Sequence, residues 1–152
     1  MSRVGVRAVV DGPVGAAETL WYDPQRWPSF IDGFGHVVKV EGGWPTPGAH
    51  VVWDSTPAGR GRVSERVLEH EPGEGQTLAV EDPRMRGTQR VAFAAVEDGT
   101  EIRLGLEYQL KQRNPLTPLV DLLFIRRALR DSLRRTLTRF GHELAGDRDL
   151  LR

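Results

Sequence analysis

Apolar and polar residues alternate along much of the first 110 positions, the pattern of β-strands that bury one face. The first run ends at Val10, and later runs cover 35–41, 49–56, 60–70, 75–82, 87–97 and 100–110. The last run is the clearest, with Ile102, Leu104, Leu106, Tyr108 and Leu110 on one face. Short turns rich in Gly, Pro and Asp separate the runs, and Asp98-Gly99 predicts a tight hairpin. The pattern therefore predicts seven strands, six of them in an antiparallel meander.

Helical spacing replaces the alternation in three segments. Val14 to Tyr22 and Trp27 to Asp32 predict two short helices between the first and second strands, separated by Asp23-Pro24. Beyond Pro118 there is no Pro or Gly before Gly141, and we predict an amphipathic helix of about seven turns that ends near Leu144. Its apolar stripe consists of Leu119, Leu122, Leu129, Leu133, Leu137, Phe140 and Leu144.

This order of elements predicts an α+β fold, in which one long C-terminal helix covers the inner face of a seven-stranded, curved antiparallel sheet. A chain of 152 residues fits a single domain. We expect that domain over residues 1–145, followed by a C-terminal tail over 146–152. Because one helix cannot fill the wide end of a strongly bent sheet, a pocket should remain between them, lined by inward residues of the middle strands.

Five short motifs, taken in order, carry a resemblance to a known family. They are Asp23-Pro24-Gln25-Arg26-Trp27-Pro28-Ser29-Phe30, Pro57-x-Gly59-Arg60-Gly61, Val67-x-x-x-Glu71-Pro72-Gly73, Phe93-x-x-x-x-x-Gly99-Thr100 and Leu106-Glu107-Tyr108. In the order and spacing of these motifs, the chain resembles the START / Bet v 1 (SRPBCC) superfamily, in particular its bacterial polyketide cyclase/dehydrase-like branch. The resemblance implies a helix-grip fold with a cavity for lipids, polyketides, hormones or isoprenoids, and it implies no single reaction.

Alternation along the strands and the helix predicts which side chains line the pocket. The candidate ligand-binding residues are Trp53, Glu65, Val67, Gln89, Val91, Phe93, Leu106, Tyr108, Leu122 and Leu129. Three of them, Glu65, Gln89 and Tyr108, are polar groups on an inward face, which cost free energy unless they are paired or serve a ligand. The structural alternative is that Glu65 pairs with a nearby arginine such as Arg90 and only joins neighbouring strands.

Two functions are compatible with such a pocket. The leading hypothesis is that the protein binds a hydrophobic small molecule, such as a lipid, polyketide, quinone or aromatic metabolite. The enzymatic alternative is a polyketide cyclase or dehydratase, in which Glu65 acts as general base while Tyr108 holds an enolate or carbonyl oxygen. The sequence leaves open whether a reaction is catalysed.

Composition excludes several other classes of site. Without cysteine there is no disulfide, no thiolate nucleophile and no cysteine-ligated metal. The four histidines lie on separate elements without metal-ligand spacing, and nucleotide-binding and hydrolase motifs are lacking, so we expect neither a metal nor a cofactor. Met1 to Val10 has no apolar run typical of a signal peptide, and no membrane-length apolar segment follows, so we expect a cytoplasmic monomer or dimer.

The chain is neutral as a whole, with 21 basic and 21 acidic residues, but one segment is basic. Between Lys111 and Arg139 it carries Lys111, Arg113, Arg126, Arg127, Arg130, Arg134, Arg135 and Arg139 against Asp121 and Asp131. Such charges commonly solvate the outer face of a helix. The alternative is an adaptor that docks on a partner or an anionic membrane. Nucleic acid is not expected, because no aromatic residues lie among the arginines on that face.

Overall fold

The computed structural model describes residues 1–112 and 118–151, and it confirms the predicted fold class. The strands are β1 (Ser2–Val10), β2 (Phe34–Glu41), β3 (His50–Ser55), β4 (Arg62–Glu71), β5 (Gly75–Glu81), β6 (Met85–Val96) and β7 (Gly99–Leu110). The helices are α1 (Val14–Trp21), α2 (Trp27–Phe30) and α3 (Leu119–Leu150). The two short helices lie between β1 and β2, as the periodicity predicts.

All neighbouring strands are antiparallel, and the sheet order is β1-β7-β6-β5-β4-β3-β2. From β2 to β7, each strand pairs with the next one along the chain. Strand β1 pairs with β7 from Ser2 to Val10. Val96 pairs with Gly99, so the tight turn is Glu97-Asp98, one position earlier than predicted. Gly99 is required there, because a Cβ atom at this position would lie 2.1 Å from the carbonyl oxygen of Val10.

The C-terminal part of α3 lies over the inner face of the sheet and buries Leu137, Phe140 and Leu144. Two details of the predicted helix are wrong. The helix continues to Leu150 instead of ending near Leu144, because Gly146 is accommodated within it. Leu119, placed in the apolar stripe by its spacing, is 71% exposed, because the first turns of α3 are not covered by the other described elements.

Buried side chains form two hydrophobic clusters. The first joins α1, α2 and α3 to the sheet through aromatic contacts, in which Phe140 meets Trp21 at 5.3 Å and Phe30 at 5.1 Å between ring centroids. The second lies among Val67, Leu78, Leu106 and Tyr108, and residues of α3 such as Leu129 pack against it. Among the described residues, no helix is long and apolar enough to cross a membrane.

Candidate functional site

A cavity of about 70 Å³ lies between the sheet, the α2 region and the middle of α3. Its lining consists of Trp21, Trp27, Ile31, Asp32, Trp44, Trp53, Arg60, Glu65, Gln76, Leu78, Gln89, Leu104, Ser132, Leu133 and Thr136. All four tryptophans of the chain are in this set. The cavity thus combines flat apolar walls with several polar side chains, the composition typical of sites for small organic molecules.

Hydrogen bonds hold three of the indoles in place. Trp27 Nε1 donates to the carbonyl oxygen of Trp21 at 2.8 Å, and Trp44 Nε1 donates to the carbonyl oxygen of Tyr22 at 2.8 Å. The rings of Trp27 and Trp44 meet edge to face at 5.2 Å. Trp53 stacks on Phe34 with 4.8 Å between centroids, and its Nε1 donates to Glu65 Oε1 at 2.5 Å. The indoles therefore present fixed faces, with their N–H groups already bonded to protein.

Glu65 is the acidic side chain among the strand residues that line the cavity. It lies on the inner face of β4, between the buried Val63 and Val67, and it is half-buried at the cavity. Burial raises the pKa of Glu65 above its ordinary value, against the opposing effects of the Trp53 hydrogen bond and the positive charge of Arg60. Its carboxyl group is consequently biased toward the neutral form, in which it has an O–H to donate.

Arg60 brings a positive charge to the same wall. Its Nε donates to Asp82 Oδ2 at 2.9 Å, and its guanidinium lies 5.8 Å from the centre of the Trp53 ring. Asp82 is buried and is fixed in turn by the amides of Arg84 and Met85. The Nη2 atom of Arg60 is buried and has no hydrogen-bond partner among the described residues. An uncompensated donor of this kind is uncommon in folded proteins and is unfavourable unless a ligand or water bonds to it.

Asp32 ties the segment after α2 to α3 beside the cavity. Its amide donates to Thr136 Oγ1 at 3.0 Å, and its carboxylate accepts from Ser132 Oγ at 2.7 Å and from Arg135 Nη2 at 3.0 Å. Arg139 lies 3.3 Å from the same carboxylate. Burial opposes ionisation of Asp32, but the hydrogen bonds and charges around it outweigh burial and lower its pKa. We call this group, Asp32 with Ser132, Arg135, Thr136 and Arg139, the Asp32 latch.

Comparison with known proteins decides the family. Residues 1–145 match the profile of the family described as "Polyketide cyclase / dehydrase and lipid transport". The chain belongs to this family. No sequence among the curated proteins matches it significantly.

Solved structures share the fold of this cyclase/dehydrase family member. The di-domain ARO/CYC StfQ from the steffimycin biosynthetic pathway is 20% identical with a TM-score of 0.75, over 95% of this chain and 51% of StfQ. DynU16, from the dynemicin biosynthetic locus, is 16% identical with a TM-score of 0.66, over 95% of this chain and 48% of DynU16. SA2116 from Staphylococcus aureus, a protein of unknown function, is 9% identical with a TM-score of 0.73, over 97% of this chain and 96% of SA2116.

The cavity of this chain brings together three of the residues singled out from the sequence, Trp53, Glu65 and Gln89. Val91 and Phe93 belong to the first hydrophobic cluster, and Val67, Leu106, Tyr108 and Leu129 lie in or against the second. Leu122 is half-buried on α3 and does not line the cavity.

The two candidate catalytic residues are not neighbours. Glu65 pairs with Val80, Val80 with Gly87 and Gly87 with Tyr108, so three strand spacings, roughly 14 Å along the sheet, separate them. The ion pair between Glu65 and Arg90 is also not formed within the described part of the chain. Arg90 donates instead to Thr77 Oγ1 at 2.8 Å.

Several polar residues at the cavity were missed by the sequence analysis, chiefly Asp32, Arg60, Gln76, Ser132 and Thr136. Gln76 had a usable signal, because it alternates with Leu78 and Val80 on β5; it is buried and donates to the carbonyl oxygen of Pro45 at 3.0 Å. The predicted strand 60–70 included Arg60 and the predicted helix from Trp27 included Asp32, but β4 begins at Arg62 and α2 ends at Phe30. Both residues therefore lie in connections, where periodicity gives no direction for a side chain. Within residues 1–112 and 118–151, no cluster of His, Asp or Glu is suited to hold a metal ion.

Proposed function

We propose that the protein binds a flat, hydrophobic molecule that carries at least one oxygen acceptor, such as an aromatic polyketide or a quinone, in the tryptophan-lined cavity. The observation that carries this proposal is the buried, unpartnered Nη2 of Arg60 beside Trp53 and Glu65. Family membership and the resemblance to StfQ support the same class of ligand.

The walls favour rings over a saturated chain. Indole faces bind flat π-systems by offset stacking or edge contacts, whereas an acyl chain gains only from burial of area. Four tryptophans around one cavity therefore favour an aromatic or polyenone ligand. Affinity would come mainly from apolar burial, at roughly 25 cal/mol for each Å² removed from water.

The polar groups would select for oxygen. A buried donor left without a partner costs about 1 to 3 kcal/mol, which a carbonyl or phenolate oxygen bonded to Arg60 Nη2 would recover. When protonated, Glu65 would donate a second hydrogen bond to the ligand. A hydrocarbon of the same shape has no acceptor and would leave this cost in place.

The cavity is small in this structure. About 70 Å³ is well below the roughly 300 to 1,000 Å³ of pockets that enclose drug-sized ligands. A ligand with several rings therefore requires the walls to separate. The Asp32 latch joins two of those walls, so we infer that it opens when such a ligand enters.

The test is a titration of tryptophan fluorescence with emodin, a trihydroxyanthraquinone, and with palmitate as the acyl-chain comparison. Arg60→Lys keeps the charge opposite Asp82 but removes the second arm of the guanidinium. Arg62→Lys is the matched control, because Arg62 is exposed and pairs with Asp54 on the surface. Native mass spectrometry, followed by denaturation, would identify any molecule that copurifies.

We expect emodin to bind more tightly than palmitate, Arg60→Lys to weaken emodin binding about tenfold, and Arg62→Lys to leave it unchanged. Thermal melts would verify that both variants are folded. Tighter binding of palmitate than of emodin would overturn the proposal. Equal affinity of Arg60→Lys and Arg62→Lys for emodin would also overturn it.

A second candidate function is ring closure, favoured by the juxtaposition of Glu65 and Arg60 at one wall. In this reaction the carboxylate form of Glu65 takes a proton from a carbon beside a ketone, and the resulting enolate carbon attacks a second carbonyl carbon. The second carbonyl oxygen takes up a proton, and loss of water forms an enone. Arg60 Nη2, rather than the distant Tyr108, would stabilise the developing oxyanion.

Heptane-2,6-dione tests this activity, since intramolecular condensation converts it to 3-methylcyclohex-2-enone and water. Turnover by the wild-type protein that is lost in Glu65→Gln, with emodin binding retained, would establish a cyclase. Wild-type protein that binds emodin but gives no enone above the buffer rate would limit the function to binding.

A further inference from the structure

The first two turns of α3 expose an unusual amount of apolar surface. Leu119, Val120 and Phe124 are 71%, 72% and 73% exposed, and Leu123 is 54% exposed. Single exposed apolar residues are normal on protein surfaces, but four within six positions of one helix form a contiguous patch. We call these four residues the α3 tip.

Basic residues continue the surface directly beyond the α3 tip. Val120, Leu123, Arg127, Arg130 and Arg134 follow spacings of three and four residues, so they lie in one stripe along the helix. Its cationic end borders shallow surface grooves that α3 shares with β1 and β7. Arg126 lies beside this stripe: Leu123, Arg126, Arg127, Arg130, Asp131 and Arg134 line one shallow surface groove. The stripe changes from apolar to cationic within one turn of helix.

These arginines form no ion pair within the described part of the chain. Salt bridges to Asp32 are made by Arg135 and Arg139, which follow them along α3, and none is found among the described residues for Arg126, Arg127, Arg130 or Arg134. The charges of these four arginines are therefore available to an external anion.

We propose that the α3 tip and the arginine stripe beyond it dock the protein on the surface of an anionic lipid bilayer. The apolar residues from Leu119 to Phe124 span about 7.5 Å of helix, so entry by the end of the helix would place them within the roughly 5 to 10 Å at which interfacial apolar side chains are buried. Arg127 and Arg130 lie about 4.5 and 9 Å beyond Phe124 along the helix axis, at the level of the lipid headgroups, and Arg134 follows about one turn further from the bilayer.

Charge favours a bilayer over a second copy of the chain. Two copies packed side by side in parallel along this stripe would bring their arginines together, and like charges oppose association. An anionic surface neutralises all of them at once, and each basic residue near such a surface contributes about 1 kcal/mol, or about fivefold in partitioning.

The experiment is co-sedimentation of the full chain with vesicles of phosphatidylcholine alone and of phosphatidylcholine with phosphatidylglycerol, at low and at high salt. Arg127→Gln with Arg130→Gln removes two charges from the stripe, and Leu123→Ser with Phe124→Ser removes the largest exposed groups of the α3 tip. The matched control is Arg66→Gln with Arg86→Gln, which removes the same charge from exposed positions on β4 and β6.

We expect binding to the anionic vesicles only, weakened about 25-fold by the arginine pair and strongly by the tip pair, with the control unchanged. The proposal would be overturned by equal binding to both kinds of vesicle or by an equal effect of the control pair. Concentration-dependent dimerisation that the tip pair abolishes would also overturn it. Arg60→Lys should bind vesicles like the wild type, so failure of the proposed ligand site would be distinguishable from failure of docking.

Discussion

The two halves of α3 have similar apolar spacing and opposite surroundings. From Ser132 onward the helix lies on the sheet and buries Leu137, Phe140 and Leu144, whereas Leu119 and Phe124 in the first turns are more than 70% exposed. The buried half contributes Ser132, Leu133 and Thr136 to the cavity. The exposed half carries Arg126, Arg127 and Arg130, for which no ion pair is found among the described residues. One helix thus joins an internal site to an external surface.

Truncation of a phenylalanine in each half should give the largest contrast. Phe140→Ala removes a fully buried ring that contacts Trp21 and Phe30, and it should lower the free energy of unfolding by about 3 to 5 kcal/mol. Phe124→Ala removes an exposed ring and should change the free energy of unfolding by less than about 0.5 kcal/mol. Urea denaturation followed by circular dichroism measures both, and similar losses would mean that the α3 tip is buried in solution.

Removal of the charge on Asp32 should have the next largest effect. Asp32→Asn weakens hydrogen bonds from Ser132 and Arg135, and it should cost about 2 kcal/mol at neutral pH. Because the pKa of Asp32 is lowered in the folded state, this stabilisation is present above the unfolded pKa and is lost as pH falls through the folded pKa.

The difference between Asp32→Asn and wild type should therefore shrink in acid, as measured by urea denaturation at several pH values. Asp121→Asn, in the exposed half of α3, is the comparison and should cost well under 1 kcal/mol. A cost at Asp32 that does not change with pH would show that the lost ionic hydrogen bonds are not its source.

Glu65→Gln should shift stability in the opposite direction. Burial raises the pKa of Glu65, so the folded state binds its proton more tightly, and ionisation reduces stability as pH rises from the unfolded pKa to the folded pKa. Glutamine keeps an oxygen for Trp53 Nε1 and carries no charge, so we expect a gain of about 1 kcal/mol at neutral pH that disappears below the unfolded pKa. Denaturation at pH 7.5 and at about pH 4 checks the sign; a loss at neutral pH would contradict it.

Periodicity predicts which face of a strand or helix a side chain occupies, but not what packs against that face. Alternation in β4 put Glu65 on the inner face, since a strand has only two faces and Val63 and Val67 decide which is buried. Alternation in β7 put Tyr108 on the same face as Leu106, and in the structure it is buried in the second hydrophobic cluster. An inner face extends across seven strands, and periodicity does not say which part borders a cavity. Asp32 and Arg60 lie in connections whose direction depends on tertiary packing. Leu119 fits the stripe of α3, but its burial depends on how far the sheet reaches along the helix.

The smallest effect is also the most direct test of the exposed half. Val120 is 72% exposed within a helix, so truncation to alanine removes almost no buried area and gains from the higher helix propensity of alanine. We expect Val120→Ala to raise the free energy of unfolding by a few tenths of a kcal/mol, whereas truncation of a buried valine such as Val63 should lower it by 1 kcal/mol or more. Paired thermal and urea measurements resolve the sign. A loss of 1 kcal/mol or more at Val120 would show that the first turns of α3 pack against the protein itself, and the α3 tip would then be part of the core rather than a surface for lipid.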